Sequence, residues 1–127
     1  MWLFLVIVVL LAAALLFVVW KLSRRRRLPA ATRLRLLGAF TQIEQLPDPH
    51  RKILEAEKVL DQALTTLTFS GTFGEKLTKA GPRFSDVQAI WRAHKLRNRI
   101  AHEMNVTLGS QEVTQAIGAF KKGVGEL

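Results

Sequence analysis

Leu96-Arg97-Asn98-Arg99-Ile100-Ala101-His102-Glu103 is the stretch on which the reading of this chain turns. It crowds basic, amide and imidazole groups into two turns of a segment that otherwise has the spacing of a core helix. At 100° per residue, Val87, Ile90, Trp91, His94, Asn98 and Ala101 fall on one face. His102 is next along that stripe, and Arg97 sits on its flank. A buried amide or imidazole without a partner costs about 1–3 kcal/mol, so an ordinary core helix places Leu or Ile there. Polar groups at these positions therefore require partners.

The flanking segments keep the helical period. Ser85 and Gln88 form a capping box for a helix over residues 85–104. After an exit loop at 105–109, Ser110 caps a last helix with the stripe Val113, Ile117, Phe120 and Val124. Gly118, Gly123 and Gly125 weaken that helix and predict a frayed end. Upstream, a turn-rich loop at 70–74 leads into a short helix at 75–79, stopped by Gly81-Pro82. Leu36, Phe40 and Ile43 predict an amphipathic helix over 31–46, broken by Pro47-Asp48-Pro49. Asp48 is a good N-cap and Pro49 a good first residue for the next helix, which runs to about 69 with Ile53, Leu60, Leu64 and Leu67 as its stripe. Glu57 falls inside this stripe. A carboxylate on a core face needs a cation, and Arg97 and His102 are the candidates; a wet Glu57 bordering the face is the alternative.

The N-terminus is of another kind. From Trp2 to Trp20 no charge, Pro or Gly interrupts an apolar run of 19 residues, 14 of them Leu, Ile, Val or Phe. At 1.5 Å per residue the run spans roughly 28 Å, the thickness of a bilayer's hydrocarbon core. Trp2 and Trp20 match the interfacial aromatic belts. A cleaved signal peptide carries its positive charge before the apolar run, whereas here Lys21, Arg24, Arg25, Arg26 and Arg27 follow it. By the positive-inside rule this predicts a plasma-membrane (inner-membrane) anchor with the N-terminus outside and the remaining chain in the cytoplasm. The same cluster can attract anionic headgroups, although topology is its expected role.

The fold expected from these segments is all-α. A single transmembrane helix (1–22) and a basic juxtamembrane linker (23–32) precede a compact bundle of four helices plus one short helix (33–127). The roughly 100 residues after the anchor suffice for one hydrophobic core. The net charge is +9 and the five basic residues after the apolar run supply +5, so fourteen basic against ten acidic residues remain elsewhere. With no cysteine, thiolate chemistry and Cys-based zinc sites are excluded. His102-Glu103 opens like a zinc-protease helix but lacks the second His, and Gly71-x-x-Gly74-Glu75-Lys76 lacks the spacing of a phosphate-cradling loop. His94 and His102 are two turns apart, too far to chelate one metal unaided. No metal site and no cofactor are expected.

Metal-free chemistry by His and Arg remains. RNA suits it, because RNA carries its own 2′-hydroxyl nucleophile. A histidine can move that proton near neutral pH, and a guanidinium can hold the phosphate and stabilise the growing charge. Residues five apart on a helix point about 140° away from each other, so Arg97 and His102 meet only through a long reach or a second helix.

Arg97-Asn98-x-x-x-His102 resembles the signature of the HEPN superfamily, helical nucleotide-binding domains in which an Arg, often followed by a polar residue, precedes a His by four to six positions. The resemblance covers residues 48–127 by helix order, and its specific part is the motif. It implies a homodimer in which two such helices face each other across a basic cleft, with cleavage of RNA in many members. Carried over by position, Arg97 is the phosphate binder, His102 the acid/base group and Asn98 the companion that orients them. Lys95, Arg99 and His94 are then RNA contacts, with Glu57 as supporting acid. Some toxin members place a Tyr two residues past the His; here Met104 stands there and the chain has no Tyr.

Two other readings compete. Lys95, Arg97 and Arg99 are also what a solvated face looks like, with Arg99 paired to Glu103, while Asn98 and His94 serve as satisfied core polars. The chain is then a non-catalytic, membrane-tethered dimerisation or docking module for an unknown protein partner, laid out like single-pass bacterial proteins with small cytoplasmic helical domains. A role at the lipid surface or in envelope stress is the third.

Overall fold

Phe40, Ile53, Leu60, Leu64, Leu77, Phe120 and Val124 are completely shielded from solvent, and they come from four different helices. The computed structural model describes residues 1–23 and 26–127; Arg24 and Arg25 of the expected topology signal lie outside the described residues. In order, the chain forms α1 (Trp2–Ser23), α2 (Ala30–Glu44), α3 (Pro49–Thr66), α4 (Phe73–Ala80), a 3-10 turn (Gly81–Arg83), α5 (Val87–His102) and α6 (Ser110–Glu126). No strand occurs among the described residues, and the fold is all-α. α3 and α6 form the central pair, with α2 and α5 packed on both and the short α4 against α3.

Local chemistry sets several boundaries. Asp48 accepts the His50 N–H at 3.0 Å and Pro49 opens α3, as the Pro-Asp-Pro break predicts. Thr72 and Glu75 form a reciprocal capping box, so α4 starts at Phe73, before the expected Glu75. The turn before it needs Gly71, at φ +104°, where an added Cβ would meet the Glu75 carboxylate. At α5 the expected Ser85 cap is displaced. Asp86 accepts the Ala89 N–H at 3.1 Å, while Ser85 is held by the Glu126 carboxylate of α6. Ser110 is the first residue of α6, and Gly109 occupies its cap without a side-chain bond.

α6 does not fray at its glycines. It stays helical to Glu126, with Val124 and Leu127 buried. Gly123 explains why: a Cβ there would lie 3.2 Å from Ile90 and 3.3 Å from Leu60, so its bareness lets α6 close on α3 and α5. Packing gained at the contact outweighs the propensity cost of about 1 kcal/mol.

α1 is the exception to this packing. Trp2–Lys21 has a mean hydropathy of 3.2 and none of it is buried against the protein, so it is long and apolar enough to cross a membrane. The expected linker is shorter than 23–32. Leu28 is 3% exposed, its N–H donates to the Leu127 carbonyl at 2.8 Å, and α2 begins at Ala30.

Candidate functional site

α5 turns a different face to the bundle from the one its apolar period suggests. Ile90, Ala93 and Leu96 are buried, His94, Arg97 and Asn98 lie half-buried along the border, and Ala101 and His102 are exposed. The cause is that α6 covers the Ala93–Leu96 side while α3 approaches the His94–Arg97 side. The polar residues of the motif helix therefore meet Glu57, which is 6% exposed.

Four side chains close a ring. The His94 Nδ1–H donates to Glu57 Oε2 at 2.8 Å. A carboxylate can only accept, so Nδ1 carries a proton, and Nε2 lies 3.3 Å from Asn98 Nδ2. That turns the Asn98 carbonyl oxygen to Arg97, whose Nη1 donates to it at 3.4 Å. Arg97 Nε lies 3.3 Å from Glu57 Oε1, within ion-pair range, yet its N–H is not aligned on the oxygen. It is the one buried side-chain nitrogen or oxygen without a hydrogen bond among the described residues. Charge attraction rather than a directed bond ties Arg97 to Glu57. Burial pushes the Glu57 carboxyl above the usual carboxylate range; the hydrogen bond and charge of His94 and the charge of Arg97 oppose this, and Asp61 reinforces it.

Aromatic contacts brace the ring. The Phe73 ring centroid is 4.9 Å from that of His94 and 6.2 Å from that of Phe120, and Trp91 lies edge-on to His94 at 5.8 Å. Phe73 thus links the polar cluster to the core.

The cluster lines a cleft of about 500 Å³ between α3, the start of α4 and α5. A second ion pair, with only its lysine buried, shares it. Lys76, 8% exposed, donates from Nζ to Asp61 Oδ1 at 2.9 Å and to Thr65 Oγ1 at 2.8 Å. Lys58 completes the rim, so three cations face two carboxylates, Glu57 and Asp61. A groove of about 570 Å³ between α5 and α6 is larger, but no buried charge lines it. Lys76 and Asp61 escaped the sequence reading. The signal for them is their period: Lys76 shares the α4 face of Phe73, Leu77 and Ala80, and Asp61 is one turn beyond Glu57.

Arg97, Asn98, His94 and Glu57 are brought together; Lys95, Arg99 and His102 are not. Lys95 is exposed and does not line the cleft. Arg99 leans away, with Nη1 3.7 Å from Glu112 of α6 and Nε 3.9 Å from Glu103. His102 ends α5, exposed, with no hydrogen bond or ion pair among the described residues. The loop after it is pinned by His50, whose Nε2 lies 2.7 Å from the Val106 carbonyl. Glu57 has His94 and Arg97 as partners, not His102.

Set against protein-family models, curated proteins and solved structures, the chain has no match.

Proposed function

We propose that this protein is a membrane-anchored, HEPN-like module whose cytoplasmic bundle binds RNA and, as a homodimer, cleaves it without a metal. Arg97 holds the scissile phosphate, and His102 moves the proton of the 2′-hydroxyl or of the leaving oxygen. Asn98, His94 and Glu57 hold Arg97 in place. The carrying observation is the contrast along α5: Arg97 is fixed by a ring around a buried carboxylate, while His102 is solvent-exposed one and a half turns later. A phosphate binder gains from being pre-positioned, and an acid/base group must be reachable. Because the two side chains diverge on one helix, a second copy's α5 completes the site. Arg26 and Arg27, following α1, support an outside N-terminus and a cytoplasmic bundle.

The test uses the purified full chain in detergent or nanodiscs with single-stranded and structured RNAs. The expected products carry 2′,3′-cyclic phosphates, form in EDTA and are absent from DNA. His102→Ala lowers cleavage by about 10²–10⁴-fold. Arg97→Ala lowers it by about 10²–10³-fold, and the double variant is little worse than either.

A second reading has its own observation. Met104 is 92% exposed beside His102, an apolar side chain where a protein contact gains most. In this reading the end of α5 is a non-catalytic docking point. No cleavage by active-site-intact protein, together with loss of self-association in His102→Ala, selects it.

A further inference from the structure

Very little chain joins the apolar helix to the bundle. α1 ends at Ser23. From Arg26 onward the backbone is already bound: the Arg83 guanidinium donates to the Arg26 carbonyl, and the Leu28 N–H donates to the Leu127 carbonyl. Leu28 itself lies in the core. Three Cα–Cα steps separate Ser23 from Arg26, so these residues are at most about 11 Å apart whatever path residues 24 and 25 take. The headgroup layer of a bilayer is roughly 5–8 Å thick on each side of the hydrocarbon. With α1 across a membrane, the bundle end made of 26–28, the 3-10 turn and 126–127 is therefore held at the headgroups.

That end is basic. Arg26 and Arg27 are exposed on it, Arg83 stands beside them over the Phe69 ring, and Arg24 and Arg25 immediately precede it in sequence. Of the acids there, Glu126 is bonded to the Ser85 N–H and hydroxyl, and Asp86 accepts from the Ala89 N–H as the cap of α5. α5 starts next to this end, since Val87 lies near Gly81, and runs about 24 Å to His102. No residue lines both the cavity at this basic end and the candidate cleft.

We propose that this end is a lipid-binding face that takes the phosphates of anionic phospholipid headgroups and seats the bundle on the membrane. It rests on α1 being a membrane span and is independent of RNA. Arg26 meets the bundle through its carbonyl, so removing the Arg26 and Arg27 side chains tests the face without breaking the fold.

The experiment places the full chain in nanodiscs of phosphatidylcholine alone and in discs that also contain phosphatidylglycerol. Amide hydrogen exchange is followed over 26–28 and 83–86, with α6 as internal reference. The expected result is slower exchange in the anionic discs, reversed by high salt. Each basic group near an anionic surface shifts the docked population about fivefold, so Arg26→Gln with Arg27→Gln reduces it roughly 25-fold. Equal exchange in the two lipids, or protection that survives the double substitution, overturns the proposal while leaving the span intact. Failure of the chain to enter either disc removes the span and the lipid face together.

Discussion

Arg97 and His102 are five residues apart on one helix, and the fold treats them oppositely. Arg97 is drawn against a buried carboxylate and an amide; His102 is left in water at the helix end. The difference comes from neighbours, not from the residues. α3 runs beside the middle of α5 and delivers Glu57, whereas beyond His102 the chain leaves the helix for a loop held by His50. One short motif thus holds a half gripped by the bundle and a half left in solvent, and substitutions that separate stability from the proposed activity test this division.

The largest expected effect is on the solvent-exposed half. His102→Ala lowers RNA cleavage by about 10²–10⁴-fold while changing stability by no more than about 0.5 kcal/mol, because an exposed side chain is removed. Single-turnover cleavage and a thermal melt on the same sample measure both. A marked loss of stability means that His102 supports the bundle and is not a free solvent-exposed group. Glu57→Ala is the counterpart. It strands Arg97 and the polar ring, and a destabilisation of about 3–5 kcal/mol is expected in chemical denaturation. A change below about 0.5 kcal/mol means that the ring does not support the bundle.

A smaller effect separates the two charge pairs of the cleft. Asp61 is 40% exposed, against 8% for the Glu57 side chain, so water screens the charge of Lys76 better than the interior screens the ring. Asp61→Asn keeps a hydrogen-bond acceptor for Lys76 and is expected to cost about 1–2 kcal/mol, less than Glu57→Ala. The reverse order in urea unfolding refutes that ranking.

The pH dependence should be gentler still. Glu57 has its carboxyl pKa raised by burial, so its ionisation costs stability in the folded chain. The sign is therefore opposite to that of an ordinary salt-bridged acid. Stability attributable to Glu57 grows as pH falls from neutrality through its raised pKa, and is complete below the ordinary value of 4.5. Relative to Glu57→Gln, the wild-type chain is expected to gain stability in thermal melts as pH falls from neutrality to 4.5; a relative loss contradicts the direction. The smallest effect belongs to Lys95→Ala, which is expected to leave stability unchanged and to lower the slope of RNA affinity against log salt by about one phosphate contact.

The helices, most of their limits and the all-α class were legible because they depend on local spacing and on caps such as Asp48-Pro49. The apolar helix was legible for the same reason: nineteen residues without a charge need no tertiary information to be read. Where reading by period failed, a contact had overruled it. Gly123 looked like a weak point and is a close-packing point against Leu60 and Ile90. Ser85 looked like a cap and is held by Glu126 from forty-one residues away. The stripe ending in His102 looked continuous, yet α5 presents Ile90, Ala93 and Leu96 to the core.

Local residue order dictates which segments are helical, that one of them is apolar on every side, and that polar groups crowd α5. Packing between distant helices pairs Glu57 with His94 and Arg97, brings Lys76 and Asp61 into their cleft, and leaves His102 outside. Helical period gives the angle of a side chain around its own axis. Which neighbour stands at that angle depends on how helices distant in sequence cross, and that is settled by packing over the whole core.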